Sequence, residues 1–247
     1  MSEPTRRLAV LGDGDPAAAI RSAVTAAGDR LVARTEADAL VAVGDAAIRE
    51  AMRAVADGDA RSVPILPAGT GRHAVDPGLV ADRIGDRGDA LAESGTPLDG
   101  FSPVAHPVLS VEGTGDGRRR VAAADVAFVT AEPARISEYE IAFGGDAVSV
   151  RADGAVVATP LGSDGYAAAA GGPVVSPGGG LAVVPVSPFT TRPDTWVASD
   201  GVGVTVERGE EPVALVVDGA RRGTVEPHCA VRIEVATTVD LLSPNRE

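Results

Sequence analysis

Asp45 stands where the apolar run ALVAVG (39–44) meets the helical stretch DAAIREAMRAVADG (45–58), which puts a carboxylate at a helix N-terminus. The next strand-like run, SVPILPAG (62–69), ends in Gly69-Thr70-Gly71-Arg72, whose backbone donors and guanidinium suit a phosphate. Ligands of open parallel sheets bind outside the carboxyl ends of the strands, and both groups fall there. Each also has a purely structural use: aspartate caps helices without any ligand, and a Gly-Thr-Gly turn makes an ordinary loop. A third stretch, RADGAVVATPLGSDGYAAAAGGPVV (151–175), runs from a strand into a turn built from Gly162, Ser163, Asp164 and Gly165, then into an alanine segment carrying Tyr166. Removing side-chain bulk lets backbone N–H groups approach whatever lies above them, at a cost in chain entropy that a bound nucleotide would justify.

The elements that must hold these residues differ between the two halves of the chain. The first third alternates short, continuous apolar runs (RLAVLG, RLVAR, ALVAVG, SVPILPAG) with helical stretches (DPAAAIRSAVTAAG, DAAIREAMRAVADG). This is the pattern of parallel strands covered on both faces, and it predicts a β-α-β unit over 39–71. From about residue 104 the chain becomes a series of strand-like runs separated by turn signals: HPVLSVEG, VAAADVAFV, EYEIAFGG, AVSVRADG, AVVAT, LAVVPVSPF, GVGVTVE, PVALVVDG and AVRIEVAT. The polar, Gly-rich segment DRIGDRGDALAESGTPLDGFSP reads as a linker with one weak helix. The expected organisation is an α/β domain with a parallel sheet over 1–103, carrying the phosphate-binding loops, and a β-rich domain over 104–247, with a cleft between them.

Composition narrows the function classes. The net charge is −13, and all 22 basic residues are arginine, with no lysine. Such a surface repels nucleic acid and anionic lipid, and the absence of lysine rules out a Walker-type lysine and Schiff-base chemistry. At molar salt the Debye length is about 3 Å, so the self-repulsion largely vanishes, and the composition points to an extreme halophile. High genomic GC content also trades lysine for arginine. No apolar run is long enough to span a bilayer, and the chain leads straight into a strand, so a cytoplasmic protein is expected. Cys229 is the only cysteine, which excludes an internal disulfide, and His73, His106 and His228 show no metal-ligand spacing. Arg118–Arg120 reads as a hairpin charge cluster, and Trp196 and Cys229 as core or interface residues.

Order and combination add a resemblance. Gly-Asp after one strand, a Gly-rich turn after the next, and then Asp153-Gly154, Thr159-Pro160, Gly162-Ser163, Tyr166 and Gly171-Gly172-Pro173 resemble the NAD kinase family. Pro185, Pro188, Arg192 and Pro193 fall where that family has a second proline-spaced strand, and VVDG (216–219) matches a later turn. The resemblance runs from Ala39 onward and implies an NAD kinase/diacylglycerol kinase-like fold. It implies phosphoryl transfer from ATP with Mg²⁺, or from polyphosphate, to the 2′-hydroxyl of the adenosine ribose of NAD, giving NADP, in a homodimer or homotetramer. Asp45 falls on the family's catalytic aspartate, with Gly44 beside it. The resemblance further implies that Asp153 and Gly154 bind NAD, that Arg151 and Arg135 contact its phosphates, and that Tyr166 lines the pocket. Asp125, Thr159, Gly162 and Ser163 complete the substrate set, Gly69, Thr70, Gly71 and Arg72 form the phosphate turn, and no protein metal site is implied.

The departures fall on the active parts. Gly-Gly-Asp-Gly-Thr becomes Val43-Gly44-Asp45-Ala46-Ala47, Asn-Glu becomes Ala124-Asp125, and Thr-Ala-Tyr after Ser163 becomes Asp164-Gly165-Tyr166. A later serine becomes Ala169, and the chain's sole asparagine is Asn245. A catalytically silent relative that binds a nucleotide for regulation is therefore the alternative reading. A lipid kinase, suggested by PAGTGRHA, is disfavoured by the Gly-Gly-Pro and the proline-spaced strands.

Overall fold

The computed structural model describes residues 5–58, 61–85, 98–130, 136–209 and 211–245. The chain forms two compact units: Met1–Ala105 with Val239–Glu247, and His106–Thr238. The last residues thus fold with the first unit, although the sequence assigns 104–247 to one domain.

In the first unit β1 (Arg7–Leu11), α1 (Gly14–Ala26), β2 (Arg30–Leu31), β3 (Ala39–Val43), α2 (Asp45–Ala56), β4 (Ile65–Ala68) and α3 (Pro77–Gly85) follow in order. β1 pairs in parallel with β2 and β3, and β3 pairs in parallel with β4, so 39–71 does form a β-α-β unit. Leu241 joins Ile65 as a further parallel partner, and Leu242 enters the core. Ala39–Ala42 are wholly buried, which is why this run shows no polar alternation. Ile20 and Val24 of α1 and Val80 and Ile84 of α3 share one core with Leu8, Val41 and Leu66, while α2 turns Ala47, Ile48, Ala51 and Met52 inward. α3 ends at Gly85, just inside the expected linker; residues 86–97 of that linker lie outside the described residues.

The second unit is built from β-strands. They are β5 (Phe101–Glu112, which begins in the first unit), β6 (Arg120–Ala122), β7 (Asp125–Thr130), β8 (Ser137–Phe143), β9 (Asp146–Ala152) and β10 (Gly154–Ala158); after the short α4 (Tyr166–Ala169) come β11 (Leu181–Val186), β12 (Trp196–Ala198), β13 (Val202–Arg208), β14 (Val213–Val217), β15 (Ala220–Val225) and β16 (Val231–Pro244, which ends in the first unit). One antiparallel sheet has the order β12-β11-β10-β7-β14-β15; in the other, β16 is followed by β13, β8 and β9. Phe128, Val157, Val183 and Leu215 of the first sheet share a core with Tyr139, Ile141, Val204 and Ile233 of the second, so the two pack face to face. The other face of the first sheet, through Val156, Ala158, Ala182 and Val184, is covered by Ala167 of α4 and by Val175.

One sequence expectation changes here in a way that matters for the site. VAAADVAFV reads as a single strand, yet the chain turns at Ala123–Ala124, separating β6 from β7. Trp196 packs against Phe143 with ring centroids 5.7 Å apart, Cys229 is exposed, and Arg120 of the arginine cluster is paired with Asp116 at 2.6 Å.

Candidate active site

In the first unit the site is made by the carboxyl ends of β3 and β4. Gly44 takes φ +86°, a conformation that a side chain would strain, and its N–H donates to the Ala68 carbonyl at 2.7 Å. That bond ties the two strand ends together. Gly44, rather than Asp45, is the N-cap of α2, so the capping role expected as the plain alternative for Asp45 does not apply. Asp45 lies in the first helical turn, where the helix dipole favours its negative charge. It is exposed, and its carboxylate has no hydrogen-bond or ion-pair partner among the described residues.

The Gly69–Arg72 turn comes up against it: a Cβ placed on Gly71 would lie 3.9 Å from Asp45 Oδ1, and one on Gly69 would lie 3.9 Å from Gly44 Cα. The turn is closed on itself, because the Gly69 N–H donates to Val75 O at 2.8 Å and Ala74 N–H to Gly71 O at 2.9 Å. The Gly69 N–H, expected to face a phosphate, is therefore engaged within the protein, whereas Thr70, Gly71 and Arg72 are exposed.

The second unit places its candidate residues at both ends of β10. At one end Ala158 lies opposite Asp125 of β7, and the 159–165 turn follows. Thr159 is fully buried; its N–H donates to Ala124 O, and its hydroxyl lies 2.8 Å from Ala123 O and 3.1 Å from Ala124 O. A Cβ on Gly162 would come within 2.3 Å of Ala124 O, so glycine is required there by close approach. The Ser163 hydroxyl, also fully buried, lies 3.0 Å from Pro160 O and accepts the Val175 N–H at 2.9 Å. The side chains of Thr159 and Ser163 are thus turned inward to shape the turn. Both were expected to contact substrate; here their hydroxyls are spent on the backbone of a packed interior.

At the other end, Gly154 packs so tightly on β7 that a Cβ would meet Phe128 O at 2.3 Å. Asp153 N–H donates to Val186 O and Phe189 N–H to Arg151 O, so the proline-spaced stretch after β11 runs beside Arg151–Asp153. Arg151 is exposed and lies over the Phe189 ring, 5.5 Å from its centroid, a cation–π contact. It also lines a cavity of about 950 Å³ with Thr130, Glu138 and His228. Arg135 lies outside the described residues.

Tyr166 links the two ends. It is 40% exposed, and its phenol is held above its ordinary pKa by burial first, and then by the negative charges of Asp153 and Asp125. The turn after β10 therefore brings Tyr166 within electrostatic reach of carboxylates from both ends of the strand. Such a group can offer hydrogen-bond acceptors to hydroxyl or amino groups of a nucleotide and a ring face for stacking.

Sequence reasoning gave no role to Asp218, although it singled out the VVDG turn. Its carboxylate accepts the N–H groups of Ala123, Ala124 and Asp125, at 3.1, 2.8 and 3.3 Å. The signal available was Asp-Gly between two strands, which announces a turn but not its partner. Phe189 was likewise missed as the partner of Arg151.

The first unit is thus an α/β fold with an exposed carboxylate at a strand-to-helix junction beside a glycine turn, and the second a β-sandwich whose Tyr166 feels the charges of two carboxylates. Residues 124–240 match the sequence model of the ATP-NAD kinase C-terminal domain. The chain is 31% identical over 204 residues to an NAD kinase of Gemmatimonas aurantiaca, an alignment covering 78% of this chain and 67% of that one. It is 34% identical over 115 residues to an NAD kinase of Methanosarcina barkeri, covering 44% and 42% respectively. The chain belongs to the NAD kinase family. It spans 42%, 54% and 52% of the three Methanosarcina relatives, about half their length. Among solved structures, an NAD kinase from Archaeoglobus fulgidus in complex with ATP superposes with a TM-score of 0.68 at 24% identity, covering 97% of this chain and 94% of that one. Yeast NADH kinase complexed with NADH superposes with a TM-score of 0.71 at 16% identity, covering 98% and 84%. Both share this fold.

Proposed function

We propose that the chain is an NAD kinase, transferring the γ-phosphoryl group of ATP, or the terminal group of polyphosphate, to the 2′-hydroxyl of the adenosine ribose of NAD. The observation that carries this reading is the Asp45 carboxylate: exposed, unpartnered, in the first turn of α2, and beside Gly71. In the proposed step Asp45 takes the proton of the ribose hydroxyl as that oxygen forms its bond to phosphorus, while the bond from phosphorus to the leaving ADP oxygen breaks. Thr70, Gly71 and Arg72 hold the triphosphate, and Asp125, Asp153 and Tyr166 hold the NAD. No group of three or more His, Cys, Asp or Glu suited to a metal occurs among the described residues. A Mg²⁺ is commonly held by substrate phosphates with one or two carboxylates, which Asp45 fits, and when bound it would neutralise charge on the transferring group.

A silent, nucleotide-binding homologue is the second reading. Ala46 favours it, because this exposed Cβ stands beside Asp45 where the family has glycine. We further propose a cytoplasmic homo-oligomer adapted to molar salt; no described helix is long and apolar enough to cross a membrane. The decisive experiment is NADP formation by purified protein in molar KCl, with ATP and Mg²⁺ and then with polyphosphate. Turnover above background establishes the kinase. Binding of NAD without turnover establishes the silent homologue.

A further inference from the structure

We propose that Asp218 is the positioning residue of the nucleotide site, acting through the Ala123–Asp125 corner; this rests on the reading of Asp125 as an NAD contact. Consecutive backbone N–H groups of Ala123, Ala124 and Asp125 converge on one carboxylate, with Oδ2 accepting from Ala123 and Oδ1 from Ala124 and Asp125. The grip is reciprocal, since the Asp218 N–H donates to Asp125 O at 2.9 Å. Asp218 (φ +49°) and Gly219 (φ +77°) form the two-residue loop between β14 and β15, a hairpin turn that Asp-Gly suits, and that turn sets the place from which the carboxylate reaches the corner. From the opposite side Thr159 binds the carbonyls of Ala123 and Ala124. The corner is thus clamped through its N–H groups by Asp218 and through its carbonyls by Thr159.

The clamp has a consequence for Asp125. This residue begins β7 directly after the corner, and its direction is set by where the corner ends. Ala124 offers no hydrogen-bonding side chain, and Asp125 carries the shorter of the two carboxylate side chains. Less reach leaves less room for error. The backbone must deliver the carboxylate accurately, and the charge of Asp218, satisfied by the N–H groups, is what fixes that backbone.

The test is steady-state kinetics with Asp218→Asn, which keeps the size and suits a left-handed backbone but presents an NH₂ where one N–H now finds an acceptor. The expected result is a KM for NAD raised roughly 10- to 100-fold, as befits loss of charge-assisted hydrogen bonds, with kcat and the KM for ATP within a few-fold of wild type. In an Asp125→Ala background the same substitution should have little further effect on KM for NAD, because both act on one contact. A merely structural role would lower the melting temperature and degrade both KM values in either background. Asp218→Gly, free at positive φ, repeats the test if the asparagine variant folds poorly. An unchanged KM for NAD, or an undiminished effect without Asp125, overturns the proposal while leaving the kinase reading in place. A wild-type protein that neither binds nor phosphorylates NAD overturns both.

Discussion

The Asp45 carboxylate is exposed and lacks the capping duty that its position suggested, because Gly44 occupies the cap. Asp45→Asn therefore removes basicity without removing a structural hydrogen bond. NADP formation should fall roughly 10²- to 10⁴-fold while calorimetric NAD binding persists; loss of binding in parallel would show that Asp45 holds substrate rather than taking its proton. The second residue-scale prediction concerns the chain's two tyrosines. Tyr139 and Tyr166 both have raised pKa values, with burial the largest cause in each and the Asp153 charge contributing to both. A phenol raised in the folded state contributes stability that is complete below its unfolded value near 10 and is lost as pH rises through the folded value. Ultraviolet titration of the folded protein should show tyrosinate forming at higher pH than in the unfolded chain, and Asp153→Asn should bring the transition down. A transition unmoved by Asp153→Asn would refute the influence of that charge on the phenols.

At the scale of elements, the turn after β10 is built by close approach. A Cβ on Gly162 would sit 2.3 Å from Ala124 O, and that atom is backbone, so it cannot swing aside as a flexible side chain can. Gly162→Ala should cost about 1–3 kcal/mol in denaturant unfolding, as overpacking does, and should loosen the Ala123–Asp125 corner. Gly44→Ala offers the contrast: open space surrounds its Cβ, and only the backbone conformation, φ +86° with ψ 154°, opposes it, at about 1–3 kcal/mol. A Gly162→Ala protein as stable as wild type would show that the 159–165 turn can move away from β7.

For the whole molecule, the charge of −13 governs behaviour in solution. In dilute buffer carboxylates repel one another over a screening length of tens of ångströms, about 30 Å at 0.01 M, and at 1 M this falls to about 3 Å. The melting temperature should therefore climb steeply from low salt to molar KCl. A flat profile across that range, followed by calorimetry or circular dichroism, would remove the adaptation to high salt from the proposed function and leave the arginine-for-lysine exchange as a matter of base composition.

Much of this architecture is legible along the chain because it depends on local properties. Continuous apolar runs such as ALVAV must be buried on both faces, and so they announce a parallel sheet without reference to any distant residue. Likewise Gly44-Asp45 announces a strand-to-helix junction, and Gly162 in its small-residue segment announces a close-packed turn. What the tertiary structure alone decided is where polar groups find their partners. Nothing within VAAADVAFV marks the corner at Ala123–Ala124, since the acceptor that stabilises it, Asp218, lies 94 positions along the chain from Ala124. Thr159 and Ser163 look like ligand contacts in sequence, yet folding offers their hydroxyls backbone partners in a dry interior, where an unmade hydrogen bond is costly. Asp125 and Asp153, 28 positions apart and at opposite ends of β10, both act on the Tyr166 phenol through their charges only because folding gathers them. A hydrogen-bonding group chooses among the partners that folding brings within about 3 Å, and that choice is a property of the assembled molecule rather than of its neighbours in sequence.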